Sequence, residues 1–170
     1  MAQTPTWMES TIKVAVEYSR PWWRDAGLSG SGFAPGGLVG ELWDNTGEDG
    51  TSAALCGFIL GDAAEDVALL EDVQLRELVL AQFDRMFGSS KHRDAVTRFS
   101  AGRWIADVPF TRTVGELRDE FEFMGASVLR QPHGPSVFFA GTETENEYGH
   151  MEGAVRAAER VLDEILPLEK

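Results

Sequence analysis

The sequence predicts an α+β fold, a mainly antiparallel sheet packed with helices, organised as one domain over residues 1–170. Three observations predict it. Residues 11–18 alternate between apolar and polar, the period of a half-buried strand. Two more β-forming runs follow across short turns, and strands joined that way pair antiparallel. Farther on, apolar residues recur at helical spacing twice, near the middle of the chain and at its end.

The first strand covers Ser10 to Tyr18, with Ile12, Val14, Val16 and Tyr18 on one face and Thr11, Lys13, Ala15 and Glu17 on the other. Pro21-Trp22-Trp23-Arg24 and a Gly/Ser-rich turn through Gly36-Gly37 lead to a second strand, Leu38 to Trp43. Asn45 to Gly50 reads as a hairpin-like loop, and Ala53 to Leu60 as a third strand apolar enough to be central. A short helix is predicted from Asp62 to Leu70 and a longer one from Asp72 to Phe87. The longer helix turns Leu75, Leu78, Val79, Phe83, Met86 and Phe87 inward, starts acidic and stops at Gly88. Ser89 to Asp94 is a polar loop with His92 facing solvent, followed by a strand over Val96 to Trp104. Asp107-Val108-Pro109-Phe110 turns the chain, and Thr113 to Phe123 stays open between helix and loop. His133 sits in a Pro-His-Gly-Pro turn and reads as structural. The tryptophans Trp7, Trp22, Trp23, Trp43 and Trp104 are expected mostly in the core, with one or two left to line a pocket.

Val137 to Ala140, bounded by Gly134-Pro135 and Gly141, is expected to be a buried strand. After a polar turn from Gly141 to Gly149, a helix places Met151, Ala154, Val155, Ala158, Leu162 and Ile165 on an inward face. Charges at Glu152, Arg156, Glu159, Arg160 and Asp163 take the other face. A turn feeding a helix start presents free backbone N–H groups and a positive dipole end, suited to an anionic or electron-rich ligand.

Composition narrows the partners. A hydrophobic fraction of 43% and 25% charged residues suit a soluble globular protein. The net charge of −13 argues against nucleic acid and anionic membrane surfaces, both of which would repel it. No apolar run approaches the roughly 18 residues of a membrane helix, and a cytoplasmic location is the default expectation. Cys56 is the single cysteine, so there is no internal disulfide and no cysteine spacing for a metal; no metal site is expected.

Phe-Phe-Ala-Gly-Thr-Glu-Thr at 138–144, followed by Gly-His-Met-Glu-Gly-Ala-Val at 149–155, resembles the C-terminal signature of the flavin-containing monoamine oxidase and L-amino-acid oxidase family. The turn between the motifs is about one residue short of the family pattern. Trp7-Met8, Lys13, Tyr18 to Arg24, Gly57-Phe58, Phe87-Gly88, Trp104 and Leu129-Arg130-Gln131-Pro132 follow in family order. The resemblance covers practically the whole chain but only the C-terminal part of the family. It implies the substrate-side sheet with its helices, plus the last strand and helix of the flavin-binding half, and it implies that the helix start faces the flavin ring.

The departures matter as much. The Gly-x-Gly-x-x-Gly run that cradles the FAD pyrophosphate in the family is absent from this sequence. Thr113-Val114-Gly115 stands where some members carry a flavin-linking cysteine, so no covalent attachment is available. The family's aromatic cage is eroded, with Gly115 near one wall and His150, close to Tyr148, near the other. Lys13 matches the lysine that holds a water beside the flavin in the family. His150 can exchange protons near neutrality. Glu143, Glu145 and Glu147 form an acidic turn, either solvated or able to supply a general acid.

Three readings follow. The first, expected to lead, is a small-molecule-transforming enzyme derived from the family but working without FAD, by isomerisation, dehydration or cyclisation. Lys13, His150 and Glu143 would be catalytic, with Trp104, Asp107, Tyr148 and Gly115 around the substrate, in a homodimer. The second is half of an FAD-dependent amine or amino-acid oxidoreductase, completed as a heteromer by a flavin-binding chain. Gly141, Thr142, Glu143, Met151, Glu152 and Gly153 would then contact non-covalent FAD. The third is a non-catalytic small-molecule-binding domain.

Overall fold

In a computed structural model, the structure describes residues 10–106 and 124–166. The chain divides into two compact units, Met8–Arg112 and a second unit combining Met1–Trp7 with Thr113–Lys170; the sequence alone suggests one domain.

The first unit is a five-stranded antiparallel sheet in the order β2-β3-β4-β1-β5, carrying helices on one face. Its elements are β1 (Thr11–Tyr18), α1 (Trp22–Asp25), β2 (Gly32–Phe33), β3 (Glu41–Asp44), β4 (Ala53–Leu60), α2 (Asp62–Val67), α3 (Asp72–Phe87) and β5 (Val96–Arg103). Alternation dictates the layering. Ile12, Val14 and Val16 are fully buried, Tyr18 nearly so, while Lys13 between them is exposed. Directly opposite residues share a face. Val16 therefore lies beside Leu55 and Ile12 beside Ile59 on the core side, whereas Lys13 lies beside Phe58 on the other. Leu75, Val79, Leu80 and Phe83 of α3 and Ala64 and Val67 of α2 close the core.

α3 starts with a capping box between Glu71 and Gln74 and ends at Gly88, whose φ of 65° is the left-handed conformation glycine adopts without strain. Its expected inward residue Leu78 is instead 45% exposed, and Gln82 is buried. The Gln82 amide accepts from the Val39 N–H at 2.8 Å and donates to the Val39 carbonyl at 2.8 Å, so its burial is matched by hydrogen bonds. The second strand is shorter than expected, Glu41–Asp44, because Val39 spends its backbone groups on Gln82. Trp23 and Tyr18 are buried as expected, but Trp43 and Trp104 are 38% and 43% exposed.

His92 departs furthest from its solvent-facing expectation. It is buried, its ring stacked on Trp22 at 5.3 Å. Nε2 lies 3.0 Å from an Asp84 oxygen and Nδ1 3.4 Å from the Tyr18 hydroxyl. The neighbouring Lys91 and Arg93 suggested a surface residue, yet a one-turn 3-10 segment, Lys91–Ala95, turns the imidazole inward. Burial pushes the His92 imidazole below its usual value against the pull of Asp84. A depressed histidine pKa means the unfolded chain binds the extra proton first, so stability falls as pH drops below about 6.5. Urea midpoints at pH 7.5 and 5.5 should therefore differ more for the wild type than for His92→Gln. Equal differences would remove His92 from the pH dependence.

The second unit contains α4 (Met151–Ile165) and two single 3-10 turns, Ser127–Arg130 and Thr142–Thr144. Val137 to Ala140 is not the buried strand expected from its composition. Val137 makes one isolated bridge to His133, is 47% exposed, and no described strand runs alongside. An apolar run becomes a strand only with a ladder to pair into. Here the Phe139 carbonyl is taken by the Arg160 guanidinium at 2.9 Å.

The face of α4 is likewise reversed. Gly153 and Ala157 are the buried residues, while Met151, Val155 and Leu162 are 89%, 53% and 55% exposed. Small residues win the inward side because the preceding turn packs directly on the helix. A Cβ on Gly153 would stand 2.3 Å from the Glu147 carbonyl oxygen and 2.7 Å from Thr142 Oγ1.

Candidate functional site

Two surfaces carry the predicted site residues, one in each unit. In the first unit it is the sheet face opposite the helices. One cross-strand row runs Glu41, Phe58, Lys13, Gly102. The Lys13 ammonium stands 5.7 Å from the Phe58 ring centroid, within reach of a cation–π attraction. On its other side Gly102 leaves room for the Trp104 ring, which would touch a Cβ there at 3.4 Å. Trp43 meets Phe58 edge-on at 5.7 Å. Lys13 thus stands open, flanked by aromatics and without an ion pair among the described residues.

Beyond Phe58, β4 carries small residues on this face, Cys56 between Ala15 and Trp43 and Ala54 opposite Glu17. They floor a cavity of about 550 Å³ that reaches the strand ends at Ser19 and Asn45. Burial pushes the Cys56 thiol up, away from the thiolate a nucleophile needs.

In the second unit the Gly141 to His150 turn is held by two arginines that sequence reasoning assigned to a solvated face or a family match. Arg160 uses its whole guanidinium. Nε donates to Glu145 at 2.9 Å, Nη1 to Glu164 at 2.8 Å, and Nη2 to the Phe139 carbonyl at 2.9 Å and Thr144 Oγ1 at 3.1 Å. Arg130 Nε donates to the Thr144 carbonyl at 2.6 Å, and its Nη2 to Asn146 at 3.1 Å. Thr142 Oγ1 donates to the His150 carbonyl at 3.0 Å, closing the turn onto the start of α4. The acidic turn is therefore not a cluster. Glu145 is buried against Arg160, Glu147 pairs with Arg156, and Glu143 projects outward over Gly141. The sequence carries no signal for this pair, because Glu145 and Arg160 stand fifteen residues apart in different elements.

His150 is the N-cap of α4 but makes no side-chain cap, and both it and Met151 are exposed. Tyr148 is half-buried beside them. The structure thus brings Gly141, Thr142, Glu143, Tyr148, His150, Met151, Glu152 and Gly153 together in one turn and helix start. Lys13 and Trp104 belong to the sheet of the other unit. Asp107 and Gly115 lie outside the described residues. Among the described residues no group of histidine, cysteine and acidic side chains has the arrangement of a metal site.

The sequence profile of flavin-containing amine oxidoreductases matches residues 2–166. The chain belongs to this family. Flavin-containing amine oxidase B of Sus scrofa is 32% identical over 92% of this chain and 31% of its own length. The rat protein of that name is 35% identical with the same coverage. Putrescine oxidase of Kocuria rosea is 28% identical over 91% of this chain and 32% of its own length. Among solved structures, wild-type putrescine oxidase bound to putrescine superposes with a TM-score of 0.75 at 27% identity, covering 92% of this chain and 35% of that one. Cyclohexylamine oxidase from Brevibacterium oxydans gives 0.73 at 26%, covering 94% and 36%. The chain thus spans about a third of the curated relatives it matches. The family relationship, the antiparallel sheet and the helices agree with the sequence reading. The cofactor-independent expectation is corrected: the relatives are flavin-containing amine oxidases, which points to FAD.

Proposed function

We propose that this chain supplies the substrate-side sheet and the flavin-facing turn of an FAD-dependent oxidoreductase that oxidises an amine. A flavin-binding polypeptide, corresponding to the other two-thirds of the relatives, completes it. The observation that carries the reading is the uncapped, exposed start of α4, locked behind the Gly141 turn by two arginines.

The residues present fit one end of the cofactor. The first amides of a helix have no intrahelical acceptor, and the dipole there is positive. The N–H groups of Met151, Glu152 and Gly153 therefore suit the electron-rich edge of an isoalloxazine, with Gly141, Thr142 and Glu143 beside it. Nothing in this sequence provides the glycine-rich cradle for the pyrophosphate, so the adenine end is held elsewhere. Held there, FAD would supply the two-electron acceptor for the hydride of an amine's α-carbon. Lys13, open on the sheet, orients a water by donating to it from its ammonium. Phe58, Trp43 and Trp104 supply an apolar wall that excludes other water from the amine. His150, exposed at the helix start, hands protons to and from solvent.

The outward apolar face of α4 supports the partner. Met151, Val155, Leu162 and Leu166 are each at least 50% exposed along one helix, and such a stripe marks a surface that another polypeptide covers. Val155→Asp should leave the urea unfolding of the isolated chain within about 0.5 kcal/mol of wild type. It should nevertheless abolish co-purification with the flavin-binding polypeptide. A variant that unfolds would put Val155 back in the core.

The direct test is co-expression with that polypeptide, followed by anaerobic addition of an amine. The assembly should be yellow, and its visible flavin band should bleach. A colourless assembly, or a flavin that amines leave oxidised, would sink the reading.

A further inference from the structure

The 3-10 turn Lys91–Ala95, which joins α3 to β5, has a single buried residue, His92, 4% exposed. Its imidazole fills a slot walled by three elements. Tyr18 of β1 lies 6.1 Å away between ring centroids, Trp22 of α1 5.3 Å, and Phe83 and Phe87 of α3 6.4 and 6.1 Å. Beside the slot the turn meets the end of β1, where the Ser19 N–H donates to the Ala95 carbonyl at 2.8 Å. β5 begins at the next residue, Val96, paired with Tyr18.

The charges around this slot balance when the ring is neutral. Asp84 of α3 is the carboxylate facing it, 3.0 Å from Nε2, and Arg93 of the turn already takes both Asp84 oxygens. Arg93 also meets Glu77 at 2.7 Å, and Glu77 meets Arg76. Two guanidiniums thus answer two carboxylates, and a proton on His92 adds an unanswered charge among aromatic rings. It also disrupts a hydrogen bond. With Nε2–H donating to Asp84, Nδ1 accepts from the Tyr18 hydroxyl at 3.4 Å. A second N–H at Nδ1 would force that hydroxyl to turn its proton away, toward no other acceptor among the described residues. α1 contributes only the uncharged Trp22 ring. Burial outweighs the attraction of Asp84 and holds the imidazole below its usual range.

We propose that His92 is a proton-operated latch. Neutral, it seats the turn in the aromatic slot; protonated, it leaves for water and lifts 91–95 and the first residues of β5 off the end of β1. Water accepts the proton that the slot refuses, so the latch is closed above about pH 6.5 and opens progressively below it. The opening is local. β5 stands at the end of the sheet order and pairs with β1 alone among the described strands, so its start can lift while β1 stays paired with β4. Tyr18, Ser19 and Thr97, at the strand ends the latch controls, also line the cavity on the sheet, so the latch sets one rim of it.

The test needs neither flavin nor amine. Amide exchange of the full 170-residue chain is followed by NMR at pH 7.5 and 5.0 and corrected for the intrinsic rate at each pH. Protection of Ser19 should fall by roughly tenfold at the lower pH, and at both it should stay well below that of Val14 in the middle of β1. His92→Gln keeps a donor and an acceptor but takes no proton, so its Ser19 protection should change less than about twofold. Wild-type Ser19 that ignores pH, or that falls equally in His92→Gln, would overturn the latch. So would Ser19 protection equal to that of Val14, because the turn would then open only with the whole sheet. Should His92→Gln fold poorly in circular dichroism, Tyr18→Phe decides alone. It removes the hydroxyl that the second N–H displaces, so a smaller acid step supports the latch and an unchanged one overturns it. Either result leaves the amine-oxidising reading standing.

Discussion

Arg160→Met should destabilise the second unit by about 3 kcal/mol, the cost of stripping one partner from a largely buried ion pair. Glu145 is 8% exposed and loses its 2.9 Å partner, keeping only Arg130 at 3.8 Å among the described residues. The Phe139 carbonyl and the Thr144 hydroxyl lose the Arg160 donor at the same time. Unpaired buried groups cost more than a made bond returns, so the loss exceeds that of a surface pair. Arg160→Lys keeps the charge but not the planar fork, and should recover less than half the difference. Urea unfolding measures the magnitude, and limited proteolysis within residues 139–147 reports the location. A midpoint equal to wild type, with no new cleavage, would show that the guanidinium only decorates the turn.

Lys13→Met should slow amine-dependent flavin reduction in the completed assembly by about a hundredfold, the low end for removing a group that positions a proton. The exchange is nearly neutral for folding, because Lys13 is exposed and its attraction to Phe58 contributes at most about 1 kcal/mol. Methionine keeps the length and the apolar stem over the ring, so the aromatic wall stands. The flavin content should stay at wild-type level while the single-turnover rate falls. Loss of the flavin together with the rate would assign Lys13 to cofactor retention, and an unchanged rate would remove it from the site.

The parts of the fold that were legible are those whose neighbours are close in sequence. β4 and α3 match their expected limits, and β1 starts one residue later than expected. Alternation fixes the faces of β1, and the caps at Glu71 and Gly88 fix the ends of α3. Where the answer depends on what packs against a segment, residue pattern misleads. In α4 the apolar count selected Met151, Val155 and Leu162 as the inward face, but the Gly141 turn approaches too closely for them. Gly153 and Ala157 take that side because a Cβ at 153 would collide with the Glu147 carbonyl. Val137 to Ala140 failed for a related reason, since strand-forming residues need a partner ladder. His92 reversed because stacking on Trp22 and hydrogen bonding to Asp84 offset the burial of a polar ring flanked by charges.

The candidate site was legible where a motif carries it. The Gly141 to Gly153 turn and Lys13 were both found by resemblance. The clamp that shapes the turn was not, because a helix arginine at position 160 looks like any solvated cation until Glu145 is seen buried beneath it. The cavity around Glu17 was invisible for a different reason. It is made by what Ala15, Ala54 and Cys56 lack, and small residues in a strand leave no chemical signature.

The most direct measurement of the flavin contact is the visible absorption spectrum of FAD during titration with the purified chain, repeated with riboflavin. The start of α4 should perturb the isoalloxazine band of both flavins with similar affinity. ADP should not displace either, because the adenine end has no cradle here. A flavin spectrum that stays unperturbed at saturating protein, or a perturbation that ADP reverses, would contradict the account.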